Sequence, residues 1–255
     1  MSLKVSEIVS FIAISLLVGA LASCGNSKPE RVPEGYHINF SETSPNPKEH
    51  KRVLVISGSP RKGGNTDLLC DAFARGAKEA GGYVEKVFLA DYNIGYFSEE
   101  DVQRVGKRAN EAGDDVPMLV DKLVNADVIV LASPVYYMNI TGQLKTFIDR
   151  TYGRYREMKD KEFFYLTACA DAEESTADWA INGFRGFVMC LPNPTERGMV
   201  KATGMGRKGA VKGSQYETEA YNLGRAHIVE IFFNHQRSFG LSQKDISGHR
   251  QRFHP

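Results

Sequence analysis

The chain has 255 residues, with 32 lysines and arginines against 31 aspartates and glutamates and a formal net charge of +1 at pH 7. This balance argues against a protein that binds nucleic acid or an anionic membrane surface through its charge. The length is enough for one α/β domain with a substantial core, even when the first 50 residues, which differ in composition, are set aside.

The first 24 residues have the pattern of an export signal. Residues 8–22 are mostly apolar, which is short for a membrane-spanning helix and typical of a secretory signal. They end in Leu21-Ala-Ser-Cys24, which resembles the processing site of bacterial lipoproteins, where the cysteine becomes the lipidated first residue. The basic region is thin, because Lys4 is offset by Glu7, so a buried amphipathic helix or an uncleaved anchor is the alternative. We expect a lipid-anchored protein on the extracytoplasmic side of a bacterial cell envelope.

The segments on either side of the predicted domain are polar. Residues 25–50 contain four prolines, the composition of an extended tether. Residues 241–255 form a polar tail, so the folded domain is expected to span 51–240.

A strand, a polar loop and a helix follow the tether. Val53–Ser57 reads as a buried strand, Gly58–Thr66 as a loop, and Asp67–Ala80 has the apolar period of a helix. Unpaired amides at the start of a helix favour an anion, so this arrangement is suited to a phosphate. An ordinary polar turn is the alternative. The side chains that add donors or positive charge are Ser59, Arg61, Lys62, Asn65 and Thr66.

Two familiar phosphate loops do not fit here. The nucleoside-triphosphate loop needs Gly-Lys-Ser/Thr, but Gly63 is followed by Gly64 and Asn65. The dinucleotide pattern G-x-G-x-x-G occurs only later, at Gly204–Gly209. It follows a short apolar stretch and does not clearly open a helix, which favours a chance match in a chain with 24 glycines.

A second signature begins with a near-continuous apolar strand, Asp127–Ala132, of the kind that is covered on both faces. It ends in an aromatic loop, Pro134–Asn139, and a helix begins near Thr141. Ligands of open parallel sheets bind at the carboxyl ends of strands where the strand order reverses. A flat aromatic ligand with a phosphate tail would satisfy both loops, although Tyr136 and Tyr137 could instead be hydrophobic cover over the strand end.

The other predicted elements alternate between strands and helices, which indicates an α/β fold with a parallel sheet and right-handed crossovers. They are an edge strand at Tyr83–Ala90, an irregular or partly helical segment at Asp91–Gly113, a helix at Val116–Asn125, a strand at Glu162–Ala168, a helix at Ala177–Cys190, a strand at Gly198–Thr203 and a helix at Glu217–Arg237.

Ser57–Thr66 together with Ala132–Arg150 resembles the flavodoxin-like NAD(P)H-dependent FMN reductase family, over roughly Lys51 to His235. The resemblance implies a flavodoxin-like, doubly wound, five-stranded parallel sheet of order 2-1-3-4-5. It also implies FMN as a tightly held cofactor, with NADH or NADPH as electron donor. The FMN-binding residues that it implies are Ser59, Arg61, Lys62, Asn65 and Thr66 at the phosphate, Pro134, Val135, Tyr136, Tyr137, Met138 and Asn139 at the ring, and Thr167 in a third loop.

One departure separates this chain from the iron–sulfur flavoprotein branch of that family, whose members carry clustered cysteines after the second strand. Here that place reads Tyr92–Glu100, and no cysteine lies between Cys70 and Cys169. A thiolate-held iron–sulfur cluster is therefore excluded at this place. Cys70 is expected in the core, and Cys169 is either a packed residue or a reactive thiol near the flavin.

The function implied is an FMN-dependent oxidoreductase that passes electrons from NAD(P)H to a small acceptor such as a quinone, a flavin or a nitro or azo compound. Because the cofactor carries the chemistry, no separate catalytic side chain and no metal is predicted. The alternative is an FMN-binding electron carrier that serves a membrane or protein redox partner. Relatives commonly assemble, so the resemblance also implies a homo-oligomer.

Overall fold

The computed structural model describes residues 50–103 and 113–238, and the side chains of His227 and residues 229–238 are outside the description. Two short 3-10 turns, Leu89–Asp91 and Tyr152–Glu157, accompany the regular elements of these residues. The elements are β1 Arg52–Ser57, α1 Asn65–Glu79, β2 Tyr83–Phe88, α2 Glu99–Gln103, α3 Val116–Asn125, β3 Val128–Pro134, α4 Gly142–Arg150, β4 Glu162–Ala168, α5 Glu174–Val188, β5 Thr195–Ala202 and α6 Gln215–Ser238.

The five strands form one parallel sheet of order β2-β1-β3-β4-β5, which confirms the predicted fold and strand order. The central strands β3 and β4 are buried at all seven of their positions, as expected for strands that are covered on both faces. Strand β1 lies between β2 and β3, so the chain changes direction across the sheet at the β1–β3 pair. That pair is therefore the topological switch point.

Two hydrophobic cores lie on opposite faces of the sheet. One contains α1 and the start of α6, where the rings of Phe73 and Phe164 lie 5.1 Å apart. The other contains α3, α4 and α5, where the ring of Tyr165 stacks on that of Phe184 at 5.3 Å. Helices α1, α3, α4 and α5 and the start of α6 each supply an apolar stripe to one core, which explains the helical apolar period of these segments.

Helices α1 and α6 pack unusually closely because each has a glycine at the contact. A Cβ on Gly76 would lie 2.0 Å from the carbonyl oxygen of Tyr221, and a Cβ on Gly224 would lie 2.3 Å from that of Phe73. Real Cβ atoms do not approach backbone this closely, so both positions require glycine.

The charges that interrupt the apolar pattern of β2 are all paired. Glu85, which is fully buried, forms an ion pair with Lys122 of α3. On the other face, the ammonium group of Lys86 lies 2.7 Å from Asp67 and 2.6 Å from Asp71 of α1. These pairs let an edge strand bury charged side chains.

Several predicted boundaries were wrong by a few residues. Strand β2 ends at Phe88 rather than Ala90, because Leu89–Asp91 turns into a 3-10 helix. Strand β5 begins at Thr195 rather than Gly198, and α5 begins at Glu174 rather than Ala177.

The predicted signal peptide (1–24), nearly all of the tether (25–50) and the tail (241–255) lie outside the described residues. Within the described part of the chain, no helix is long and apolar enough to cross a membrane.

Candidate functional site

The loops that follow β1 and β3 are joined at the switch point by hydrogen bonds. The amide of Gly58 donates to the carbonyl of Ala132 at 2.8 Å, and the buried hydroxyl of Thr141 donates to the carbonyl of Gly58 at 2.7 Å. The amide of Thr141 in turn donates to the hydroxyl of Ser133 at 2.9 Å. Thr141 is also the N-cap of α4, so one side chain starts a helix and holds the two loops together.

Gly58 is required for this close approach. A Cβ at this position would lie 2.8 Å from the Cβ of Leu144 and 3.1 Å from both the carbonyl oxygen of Ala132 and the hydroxyl of Thr141. Any side chain would push α4 and the two loops apart. Glycine is thus required directly after β1 for steric reasons, which the sequence alone did not reveal.

The loop Ser59–Thr66, called the phosphate loop below, is held by the side chain of Ser59 within it and by that of Asp67, which follows it. Asp67 accepts from the amide of Gly63 at 2.8 Å, and the hydroxyl of Ser59 accepts from the amide of Arg61 at 3.1 Å. The N-cap position of α1 is Gly64, which has no side chain to cap the helix. The first amides of α1 therefore keep their hydrogen-bonding capacity for an anion.

The hydroxyl of Thr66 lies in the first turn of α1 and has no hydrogen-bond partner among the described residues. Its residue is only 2% exposed. An unpartnered buried hydroxyl is unfavourable, so its presence beside unpaired helix amides is consistent with a ligand that accepts hydrogen bonds there.

Two other residues predicted to bind the phosphate, Arg61 and Lys62, differ in their surroundings. Arg61 is exposed and forms no ion pair within the described ranges. Lys62 turns away from the loop and lies 2.7 Å from Asp91, with its ammonium group 5.5 Å from the centre of the Phe88 ring.

Asn65 is fully engaged by the protein itself. Its amide nitrogen donates to the carbonyls of Met205 at 2.6 Å and Arg207 at 2.9 Å, and its amide oxygen accepts from the backbone of Val211 at 3.3 Å. The side chain of Asn65 therefore holds the segment after β5 against the phosphate loop.

The aromatic loop after β3 is a tight turn. The backbones of Tyr136 and Asn139 exchange two hydrogen bonds of 2.9 and 3.0 Å. The two residues between them, Tyr137 and Met138, have φ of 48° and 57°, the left-handed conformation that non-glycine residues seldom adopt. Strained backbone of this kind is concentrated at functional sites, so this turn is a candidate contact for a ligand.

The same turn is open to solvent. Tyr137 is fully exposed and Met138 is half-exposed. No backbone hydrogen bond of the described residues uses the amides of Tyr137 and Met138. Pro134, by contrast, is buried at the end of β3, and the amide of Val135 donates to the carbonyl of Ala168. The turn thus offers an exposed apolar surface together with free backbone donors.

Thr167 lies inside β4 and is fully buried, with no hydrogen-bond partner for its hydroxyl among the described residues. The loop that emerges beyond it begins at Cys169, whose thiol donates to the carbonyl of Asp171 at 3.4 Å. Burial raises the pKa of Cys169, which favours the packed thiol over the reactive one. No group of three or more potential metal ligands occurs within the described ranges.

The sequence interpretation gave no role at the site to the segment 203–214, here named the β5–α6 loop. The pattern Gly204–Gly209 lies within it and does not open a helix, since α6 begins at Gln215. The loop is fastened to the end of β4 by bonds from the amide of Gly204 to Asp171 (2.6 Å) and from that of Met205 to Cys169 (2.7 Å). The G-x-G-x-x-G match thus lies beside the phosphate loop without forming a dinucleotide turn.

Comparison with known proteins gives a consistent result. Residues 51–233 match the family described as NADPH-dependent FMN reductase. An iron–sulfur flavoprotein of Archaeoglobus fulgidus is 39% identical over 120 residues, which are 43% of this chain and 50% of that protein. The chain spans about half the length of the curated relatives it matches.

Solved structures share the fold at lower identity. The Trp repressor binding protein of Bacillus subtilis has a TM-score of 0.52 and 20% identity, over 68% of this chain and 97% of that one. An NAD(P)H:quinone oxidoreductase of Methanothermobacter marburgensis has a TM-score of 0.51 and 19% identity, over 70% and 97%.

The residues at the switch point fit FMN, the cofactor of the matched family. The unpaired amides of α1 and the orphan hydroxyl of Thr66 would hold its phosphate. The exposed turn Tyr136–Asn139 would contact its ring through apolar surface and backbone donors.

Proposed function

The chain belongs to the NADPH-dependent FMN reductase family, and on that premise we propose that it is an FMN-dependent oxidoreductase that passes electrons from NADPH or NADH to a small acceptor. A quinone is one acceptor of the expected kind, because one structural neighbour is named as a quinone oxidoreductase. Other acceptors of this kind are flavins and nitro or azo compounds. Bound FMN supplies the redox chemistry, since its ring can accept and release a hydride.

The main support for the proposal is that Thr141 and Gly58 join two loops that offer different kinds of contact. One loop offers unpaired helix amides and a buried hydroxyl, and the other offers apolar surface and free backbone donors. The amides of Tyr137 and Met138 would stabilise negative charge on a bound ring, because preorganised donors act strongly where charge develops. Their strained turn keeps them in position before any ligand arrives.

The open turn also favours an enzyme over the alternative, an electron carrier. An electron carrier is expected to present an acidic docking face, whereas the charges of this chain nearly balance, and Tyr137 and Met138 leave the turn exposed. Small molecules can approach such a site directly.

Anaerobic mixing of the FMN-loaded protein with NADPH or NADH tests the proposal. Loss of the oxidised flavin absorbance within seconds, followed by its return when a quinone is added, is the expected result. Bound flavin that stays oxidised with both donors would contradict the proposal and support the carrier.

We further propose that Cys24 is lipidated and anchors the protein outside the cytoplasm, as the pattern Leu21–Cys24 supports. Metabolic labelling with a fatty-acid analogue should label the wild type and not Cys24→Ser. Equal labelling of both would refute the anchor.

A homo-oligomer is proposed from the family and is supported by an exposed aromatic cluster. The rings of Phe97 and Tyr152 lie 5.7 Å apart, and those of Tyr152 and Tyr155 lie 6.2 Å apart, with Tyr152 about half exposed. Light scattering should give a mass above that of one chain, and a monomer at high concentration would contradict this.

A further inference from the structure

The β5–α6 loop is basic and is fixed against the phosphate loop. It carries Arg207, Lys208 and Lys212. Asn65, at the first position of α1, holds it through two donated hydrogen bonds and one accepted bond. Because Asn65 is only 4% exposed, these bonds are shielded from water and keep the loop in register with the start of α1.

Lys208 is the cation that this arrangement brings to the phosphate loop. A Cβ on Gly63 would lie 3.7 Å from Cε of Lys208, the carbon that bears the ammonium group. Gly63 lies in the middle of the phosphate loop, three residues before Thr66.

Lys208, like Lys212 of the same loop, has no counter-charge among the described residues, whereas Lys62 and Lys201 have one. Lys62 pairs with Asp91, and Lys201 pairs with Glu174 and Asp178. In the described part of the chain no carboxylate lies within ion-pair distance of Lys208. An unpaired cation beside unpaired helix amides creates a positive potential that a phosphate would neutralise.

We propose that Lys208 binds the phosphate monoester that enters the phosphate loop, and that Asn65 is the positioning residue that holds Lys208 there. The inference rests on the proposed function and deepens it. FMN is the ligand of that function whose phosphate monoester would enter the phosphate loop, and the 2′-phosphate of NADPH serves as a comparison in the test. Lysine suits the FMN phosphate, because its ammonium group is a compact charge on a flexible stem.

The experiment compares ligands that differ only in that phosphate. Flavin-free protein is titrated with FMN and with riboflavin, by flavin fluorescence, and the FMN-loaded protein is assayed for KM with NADPH and with NADH. The variants are Lys208→Ala, Lys208→Arg and, as a matched control from the same loop, Lys212→Ala.

Lys208→Ala is expected to weaken FMN binding by roughly tenfold, the effect of losing one charge-assisted hydrogen bond, and to leave riboflavin binding unchanged. Lys208→Arg should restore most of the affinity, and Lys212→Ala should behave as wild type. The FMN affinity of the wild type should fall more steeply with salt than that of Lys208→Ala. If FMN binding is unchanged but KM rises for NADPH alone, Lys208 contacts the 2′-phosphate of the donor outside the phosphate loop, and the proposal is overturned.

The role of Asn65 is tested by a double-mutant cycle. Asn65→Ala should lower the preference for FMN over riboflavin in the wild type and have little further effect on it in Lys208→Ala, because the two residues act through one contact. A purely structural role would give additive effects and would refute the positioning role.

An unchanged preference for FMN over riboflavin in Lys208→Ala would overturn the proposal, as would an equal loss of that preference in Lys212→Ala. A wild type that binds no FMN would instead refute the proposed function, so the two failures are distinct.

Discussion

Replacing Thr66 by valine is expected to move two measurable quantities in opposite directions. The hydroxyl of Thr66 is buried and has no partner among the described residues, and valine keeps the shape of the side chain. A buried hydroxyl without a partner costs about 1–3 kcal/mol, so Thr66→Val should stabilise the flavin-free protein by about 1 kcal/mol. The same change removes a hydrogen bond to the FMN phosphate. It should weaken FMN binding by roughly 10- to 100-fold, since bonds to charged groups contribute about 1.5–3 kcal/mol.

Urea unfolding of the flavin-free protein and fluorescence titration with FMN measure the two effects. Thr151→Val is the matched control: Thr151 is also 2% exposed, but its hydroxyl donates to the carbonyl of Ile148 at 2.7 Å, away from the phosphate loop. The control should lose about 1 kcal/mol of stability. The reasoning would be refuted if Thr66→Val were destabilised like the control, or if its affinity for FMN were unchanged.

Three further predictions concern the same region and the cysteines. Gly58→Ala should lower the free energy of unfolding by about 1–3 kcal/mol, because its Cβ would lie 2.8 Å from that of Leu144. The control Gly142→Ala should keep the stability of the wild type, because Gly142 has open space around it. Equal urea midpoints for the two variants would contradict the prediction. Tyr137→Gly should stabilise the flavin-free protein by about 0.5–1 kcal/mol, because Tyr137 has a positive φ that glycine adopts without strain. A lower urea midpoint for this variant would contradict the prediction. Iodoacetamide at pH 8 should modify the exposed Cys190 far faster than Cys70. Burial raises the pKa of Cys70 to about 12, so almost no thiolate is present to react. Similar rates of modification at the two cysteines, measured by mass spectrometry, would contradict the burial of Cys70.

The fold could be predicted from the sequence because its central strands have a strong signal. Val53–Ile56 in β1 and Val128–Ala132 in β3 are unbroken apolar runs, which are typical of strands covered by helices on both faces. The start of β5 had no such signal, because Thr195, Glu196 and Arg197 lie on the exposed edge of the sheet. Edge positions accept polar side chains, so apolar pattern cannot locate them.

The place of the candidate site was also predictable, but the direction of its side chains was not. Residue types identified a phosphate loop, yet Lys62 turns to Asp91 at the end of β2, and Asn65 turns to carbonyls more than 100 residues away in the sequence. The contribution of Thr141 was missed for the same reason, since its partner Gly58 lies 83 positions earlier. Long-range packing decides such contacts, and local pattern carries no information about them.

The central claim is that FMN binds across the loops that follow β1 and β3, and amide NMR spectra test it most directly. Addition of FMN to the isotopically labelled, flavin-free protein should shift the amides of Ser59–Thr66 and Tyr136–Asn139 at one equivalent of ligand. Riboflavin should shift the amides of Tyr136–Asn139 with much smaller changes in Ser59–Thr66, because it lacks the phosphate. Saturable shifts that spare both loops, or no shifts at all, would contradict the account.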